Sequence, residues 1–147
     1  MNVSGICLVI LIGAAVLVSG VSAQNADNDA GYTVTPATTL QLPKMTVPLS
    51  AGTIMQGETD WYYYYVSPGT TAITPDLNWG DISDSLSLTI IAPDGTLGPY
   101  YDASDGVING RITLSVSRFA GLAPGTWSFR VYGDAVTGTQ SYNFFVY

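Results

Sequence analysis

The sequence predicts an all-β protein, a single jelly-roll-like β-sandwich of about eight short antiparallel strands. Three observations carry this. Apolar residues alternate with polar ones over several short stretches. Gly and Pro punctuate those stretches at regular intervals. Beyond the first two dozen residues, no window shows a sustained helical period.

The elements follow in order. An apolar run from Ile6 to Val18 is broken only by Gly13, and Val21-Ser22-Ala23 supplies the small residues a signal peptidase reads. The run is shorter than the ~20 apolar residues a helix needs to span a bilayer. Residues 1–23 are therefore expected to be a signal peptide, with a retained membrane anchor as the alternative because residues 1–5 lack Lys and Arg. Export places the protein outside the cell or on its surface. Residues 24–50 read as a polar tail and extended linker: 24–37 are small and polar, and Pro43 and Pro48 interrupt the apolar residues between Leu40 and Leu49.

The domain is expected to span residues 51–147. Strands are expected at 53–55, 60–66, 71–79 (weakened by Pro75), 85–91, 112–117, 127–132 and 140–147. Pro93-Asp94-Gly95 is a strong turn, since Pro presets φ and Gly tolerates φ > 0. Period-two alternation places Tyr62, Tyr64, Val66, Leu86, Leu88, Ile90, Ile112, Leu114, Val116, Trp127, Phe129, Val131, Tyr142, Phe144 and Val146 in the core. Thr113 is expected on the opposite, solvent face.

Composition narrows function. Four basic residues face eleven acidic ones, for a net charge of −7. That excludes nucleic acid, whose phosphates demand Lys and Arg, and docking on an anionic membrane surface. The chain has no His, and its one Cys, Cys7, lies in the segment expected to be removed. Ser-His-Asp and Cys-His nucleophiles and the usual zinc ligands are then missing, and the domain is expected to be non-catalytic.

Two groups of residues stand out. Asp76, Asp81 and Asp84 surround one strand-loop-strand junction and make a candidate calcium site, because calcium takes six to eight oxygen ligands. The competing explanation is that Asp81 and Asp84 cap turns through side-chain to backbone hydrogen bonds. Trp61-Tyr62-Tyr63-Tyr64-Tyr65 is five consecutive aromatics. A strand sends alternate side chains to opposite faces, so Trp61, Tyr63 and Tyr65 share the outer face. They form a candidate ligand-binding surface for an extracellular glycan or an envelope protein, unless residues 38–50 or another strand cover them.

Several landmarks, in order, resemble the bacterial and archaeal pre-peptidase C-terminal domain. They are Gly57-Glu58-Thr59-Asp60-Trp61-Tyr62, then Gly80-Asp81 with Asp84-Ser85-Leu86-Ser87-Leu88, then Ala92-Pro93-Asp94-Gly95. Leu122-Ala123-Pro124-Gly125-Thr126-Trp127-Ser128-Phe129-Arg130-Val131 and Ser141-Tyr142-Asn143-Phe144-Phe145-Val146 complete the series. The resemblance implies an exported, non-catalytic sandwich module, some of whose relatives bind calcium or matrix polymers. Two other roles stay open. One is a structural subunit that self-associates by lending residues 38–49 to a neighbour's sheet edge. The other is an accessory domain working with a separate protease.

Overall fold

A computed structural model describes residues 30–37 and 50–147. Among these residues, ten strands pack as two antiparallel sheets. The expected signal peptide and the 38–49 segment lie outside the described residues. Among the described residues, no helix is long and apolar enough to cross a membrane.

The first sheet contains β1 (Thr33–Pro36), β2 (Ser50–Met55), β4 (Ala72–Ile73), β5 (Pro75–Asn78), β8 (Arg111–Ser117) and β10 (Thr139–Val146). Its order is β1-β8-β5-β10-β2, with β4 also paired to β8. The second sheet contains β3 (Thr59–Val66), β6 (Ser85–Ala92), β7 (Gly95–Tyr100) and β9 (Gly125–Ala135), in the order β3-β9-β6-β7.

Strands β4 and β5 run along the same side of β8 in one register, Ile73 opposite Val116 and Asp76 opposite Thr113. The break falls at Thr74, just before Pro75, which has no N–H to give. Thr74 instead exchanges backbone bonds with Tyr147 at the end of the chain.

The core lies between the sheets. Thirteen of the fifteen expected core residues are buried, and Tyr62 and Tyr64 are half-buried against the same cluster. Trp127, Phe129 and Phe144 are the largest fully enclosed side chains. Burial of this kind stabilises by ~25 cal/mol for each Å² of apolar surface withdrawn from water.

Three features differ from the sequence expectation. Residues 30–37, read as polar tail, contribute β1, whose partners on β8 run from Ser117 to Leu114. Tyr32 fixes this segment: its ring meets Trp127 edge-on at 5.3 Å, and its hydroxyl donates to Asp94 at 2.5 Å. Arg118 lies over the Tyr32 ring, 4.5 Å from its centre, and also binds Asp94 at 2.7 Å. A single Tyr-Thr-Val-Thr run among small polar residues was too weak a periodic signal to expose β1. Strand β7 was likewise missed, because Gly95, Gly98 and Pro99 mask it.

The third difference corrects the placement of Thr113. It does face away from the core, but it is buried rather than solvent-exposed. Its hydroxyl donates to Asp76 at 3.1 Å, and Asp76 is itself clamped by Arg111. A polar network covers this part of the outer face, and period-two alternation reports which face a residue occupies, not what covers it.

Candidate functional site

Strand β3 has no Pro and an unbroken register with β9, from Thr59 opposite Tyr132 to Val66 opposite Gly125. Its even-numbered side chains turn inward. Tyr62 stacks on Phe144 at 5.1 Å, and its hydroxyl meets that of Tyr142. The Tyr142 hydroxyl donates to Asp60 at 2.5 Å. Burial, then the bond to Asp60, pushes the Tyr142 phenol well above its ordinary range. Asp60 is thus turned into the sandwich and leaves the outer face of β3 without a carboxylate.

The odd-numbered side chains turn outward, as expected. Trp61 is 47 % exposed, and Tyr63 and Tyr65 are each 63 % exposed. Two strand residues advance the chain by about 6.8 Å, which sets the spacing of the rings. Beside them on β9 stand Arg130, Ser128 and Thr126, opposite Trp61, Tyr63 and Tyr65 respectively. The three aromatics are therefore one row on one sheet face, flanked by a guanidinium and two hydroxyls. No described residue covers enough of the row to bury it.

Arg130 is unlike the other two described arginines. Arg111 and Arg118 each form an ion pair, with Asp76 and Asp94. Arg130 has no ion pair among the described residues. One of its Nη atoms donates to Thr89 at 3.2 Å, and its Nε is buried with no hydrogen-bond partner. The row thus ends beside a cation with unused donor capacity.

Compared with known families and curated proteins, the chain matches no family model and no curated protein. The reading of this surface accordingly stands on the residues themselves.

The three aspartates named for calcium are not brought together. Asp76 is 1 % exposed and accepts two hydrogen bonds from Arg111, at 2.7 and 2.6 Å, besides that of Thr113. Asp84 is buried and accepts the Thr137 N–H at 2.9 Å, tying the 80–84 loop to the β9–β10 connection. Asp81 is exposed and accepts both the N–H and the hydroxyl of Ser83. Those donors, the hydroxyl first, hold its carboxyl below the usual carboxylate range. The Trp79 indole N–H closes the loop onto the carbonyls of Asp81 and Asp84. Each carboxylate serves a different protein donor: Asp81 caps its own turn through Ser83, while Asp76 and Asp84 take partners far along the chain, Arg111 and Thr137.

Two further aspartates, Asp102 and Asp105, likewise serve protein donors. Asp102 accepts the N–H groups of Asn109, Gly110 and Arg111, and Asp105 those of Val107 and Thr113. Among the described residues, no group of three or more His, Cys, Asp or Glu is placed to hold a metal ion.

One further concavity, of about 630 Å³, lies on the six-stranded sheet. Gly52, Thr53, Asn78, Trp79, Ser141 and Asn143 line it. Sequence reasoning missed it, because its amides and hydroxyls come from three strands far apart in the chain. Its lining offers hydrogen bonds but no acid, base or nucleophile pair.

Proposed function

We propose that this chain is a non-catalytic binding module of the cell surface or extracellular space. It takes a glycan on the row formed by Trp61, Tyr63 and Tyr65. The observation that carries the reading is the exposure of three aromatic side chains on one face of one strand. Large contiguous exposed apolar surface on a folded domain marks a site of interaction.

The flanking chemistry favours sugar over an apolar protein surface. Ser128 and Thr126 place hydroxyls beside the rings, and Arg130 adds a donor. A sugar ring has an apolar face to stack on an aromatic ring and a rim of hydroxyls that need hydrogen bonds. Tyr rings suit this double demand, being flat with a polar tip. The likeness of residues 51–147 to the pre-peptidase C-terminal domain supports the same class of role. So do the signal-peptide pattern and the lack of His.

The test is a variant carrying Trp61→Ala, Tyr63→Ala and Tyr65→Ala, compared with wild type on a glycan array and then by calorimetry. Wild type should bind at least one extracellular glycan class, and the variant should bind it about tenfold or more weakly, a loss of ~1.4 kcal/mol. Failure of wild type to bind any glycan, or undiminished binding by a folded variant, would remove the proposal.

A further inference from the structure

We infer that the edge of β3 left unpaired by the described residues is a self-pairing edge, through which two copies of this chain join antiparallel into one continuous sheet. The inference does not rest on glycan binding. It begins from which way the backbone of β3 points.

The Gly133 N–H donates to the Glu58 carbonyl, and the Gly57 N–H donates to the Gly133 carbonyl. In an antiparallel pair, residues alternate between turning both backbone groups toward the partner and turning both away. The Glu58 carbonyl faces β9, while its N–H turns back to Met55 at the start of the strand, and the continuous register then carries the even-numbered residues of β3 into bonds with β9. The N–H and C=O groups of Trp61, Tyr63 and Tyr65 then point out of the sheet. Among the described residues, β3 pairs with β9 alone.

The four sheet edges are not equivalent. Strand β1 has four residues and ends in Pro36. Strand β7 carries Pro99, and its pairing with β6 shifts register between Leu88 and Ile90. Short length, Pro and bulges are the devices that blunt an edge against pairing. Strand β2 has six residues, among them Gly52. Strand β3 has eight, is free of Pro and Gly, and keeps one register throughout. Its only charge, Asp60, is turned inward to Tyr142.

A second copy is the partner that fits this edge. When β3 runs antiparallel to itself about Tyr63, Trp61 faces the partner's Tyr65 and Tyr63 faces the partner's Tyr63. All of these are odd-numbered residues, whose backbone groups point at each other, so the two strands exchange about six hydrogen bonds. The side chains on the shared face become an aromatic ladder, and cross-strand aromatic pairs add to sheet stability. Asp60 falls opposite the partner's Val66, so no carboxylate meets another despite the chain's net charge of −7. Because side chains stand perpendicular to the sheet, pairing at the edge leaves the ring faces open.

Comparing Tyr63→Pro with Tyr63→Ala in the full chain tests this by sedimentation across a wide concentration range. Both lose the ring, but only Pro removes the N–H, which β9 does not use. Wild type should show a dimer that grows with concentration, and Tyr63→Pro should weaken it about tenfold or more beyond Tyr63→Ala. A second measurement covers misfolding of the Pro variant. In a Cys7→Ser background, Tyr63→Cys places two thiols across the two-fold with Cα atoms about 5.5 Å apart, inside the disulfide range of roughly 4.4–6.8 Å. Mild oxidation should cross-link Tyr63→Cys, while Ser128→Cys, three strand spacings from its copy, should stay monomeric. A monomer at every concentration, equal effects of Pro and Ala, or no cross-linking preference for position 63 would overturn the inference.

Discussion

Thr113 offers the sharpest check on the energetics of the fold. It is 2 % exposed and donates its hydroxyl to Asp76, a carboxylate that also takes both Arg111 bonds. A hydrogen bond to a charged group contributes ~1.5–3 kcal/mol. The low end applies here, because Asp76 keeps its two Arg111 donors when the hydroxyl is removed. Deleting the methyl group adds ~0.8 kcal/mol of lost burial. Thr113→Ala should therefore cost about 2–3 kcal/mol. Thr113→Val, which keeps the volume, should cost about 1.5 kcal/mol. Leu88 is fully buried between Val131 and Tyr100, and Leu88→Ala should cost about 3–5 kcal/mol. Exposed Thr126→Ala should stay within about 0.5 kcal/mol. Urea unfolding of the four variants, with m-values checked for constancy, measures these differences. If Thr113→Ala matches Thr126→Ala, the hydroxyl does not bind Asp76 and the polar network over β8 is misassigned.

Three further outcomes follow from the same contacts. Asp76→Ala should destabilise by about 2–4 kcal/mol, less than a fully buried pair because the Arg111 side chain is 22 % exposed, and a double-mutant cycle with Arg111→Met should recover part of the loss. Gly133→Ala should cost about 3 kcal/mol or more in the same urea assay, because the added Cβ would lie 2.2 Å from the Met55 carbonyl oxygen where the chain changes sheets. Alkaline pH should weaken the fold: burial, reinforced by the bond to Asp94, pushes the Tyr32 phenol up to about 12 from 10.0. That contribution is full below the unfolded value and is lost as pH rises through about 12, so Tyr32→Phe should flatten the fall in thermal stability over this window.

How much could be read from the sequence depended on the kind of signal. Strands β6, β8, β9 and β10 each turn one apolar row into the core, so Leu86-Leu88-Ile90 and Trp127-Phe129-Val131 announced both the strand and its inner side. The outward turn of Trp61, Tyr63 and Tyr65 followed from the same alternation. Strand β1 was hidden because its hold on the body is made by partners far along the chain, Trp127, Asp94 and Arg118. The partners of the aspartates were hidden for a related reason. Asp76 and Asp84 are eight positions apart in an acidic stretch, but their partners are Arg111 and Thr137, which local spacing cannot reveal.

The clasp of Tyr32 by Asp94 and Arg118 has a mechanical consequence. Any pull that reaches the described residues through Ala30 meets the Ala30 carbonyl held by Arg118 and then Tyr32. The first structures to bear that tension are the Asp94 and Arg118 contacts and the four-residue ladder between β1 and β8. Strand β1 is thus placed to act as a sacrificial latch, giving way and re-forming under force while the aromatic row on the opposite sheet keeps its shape.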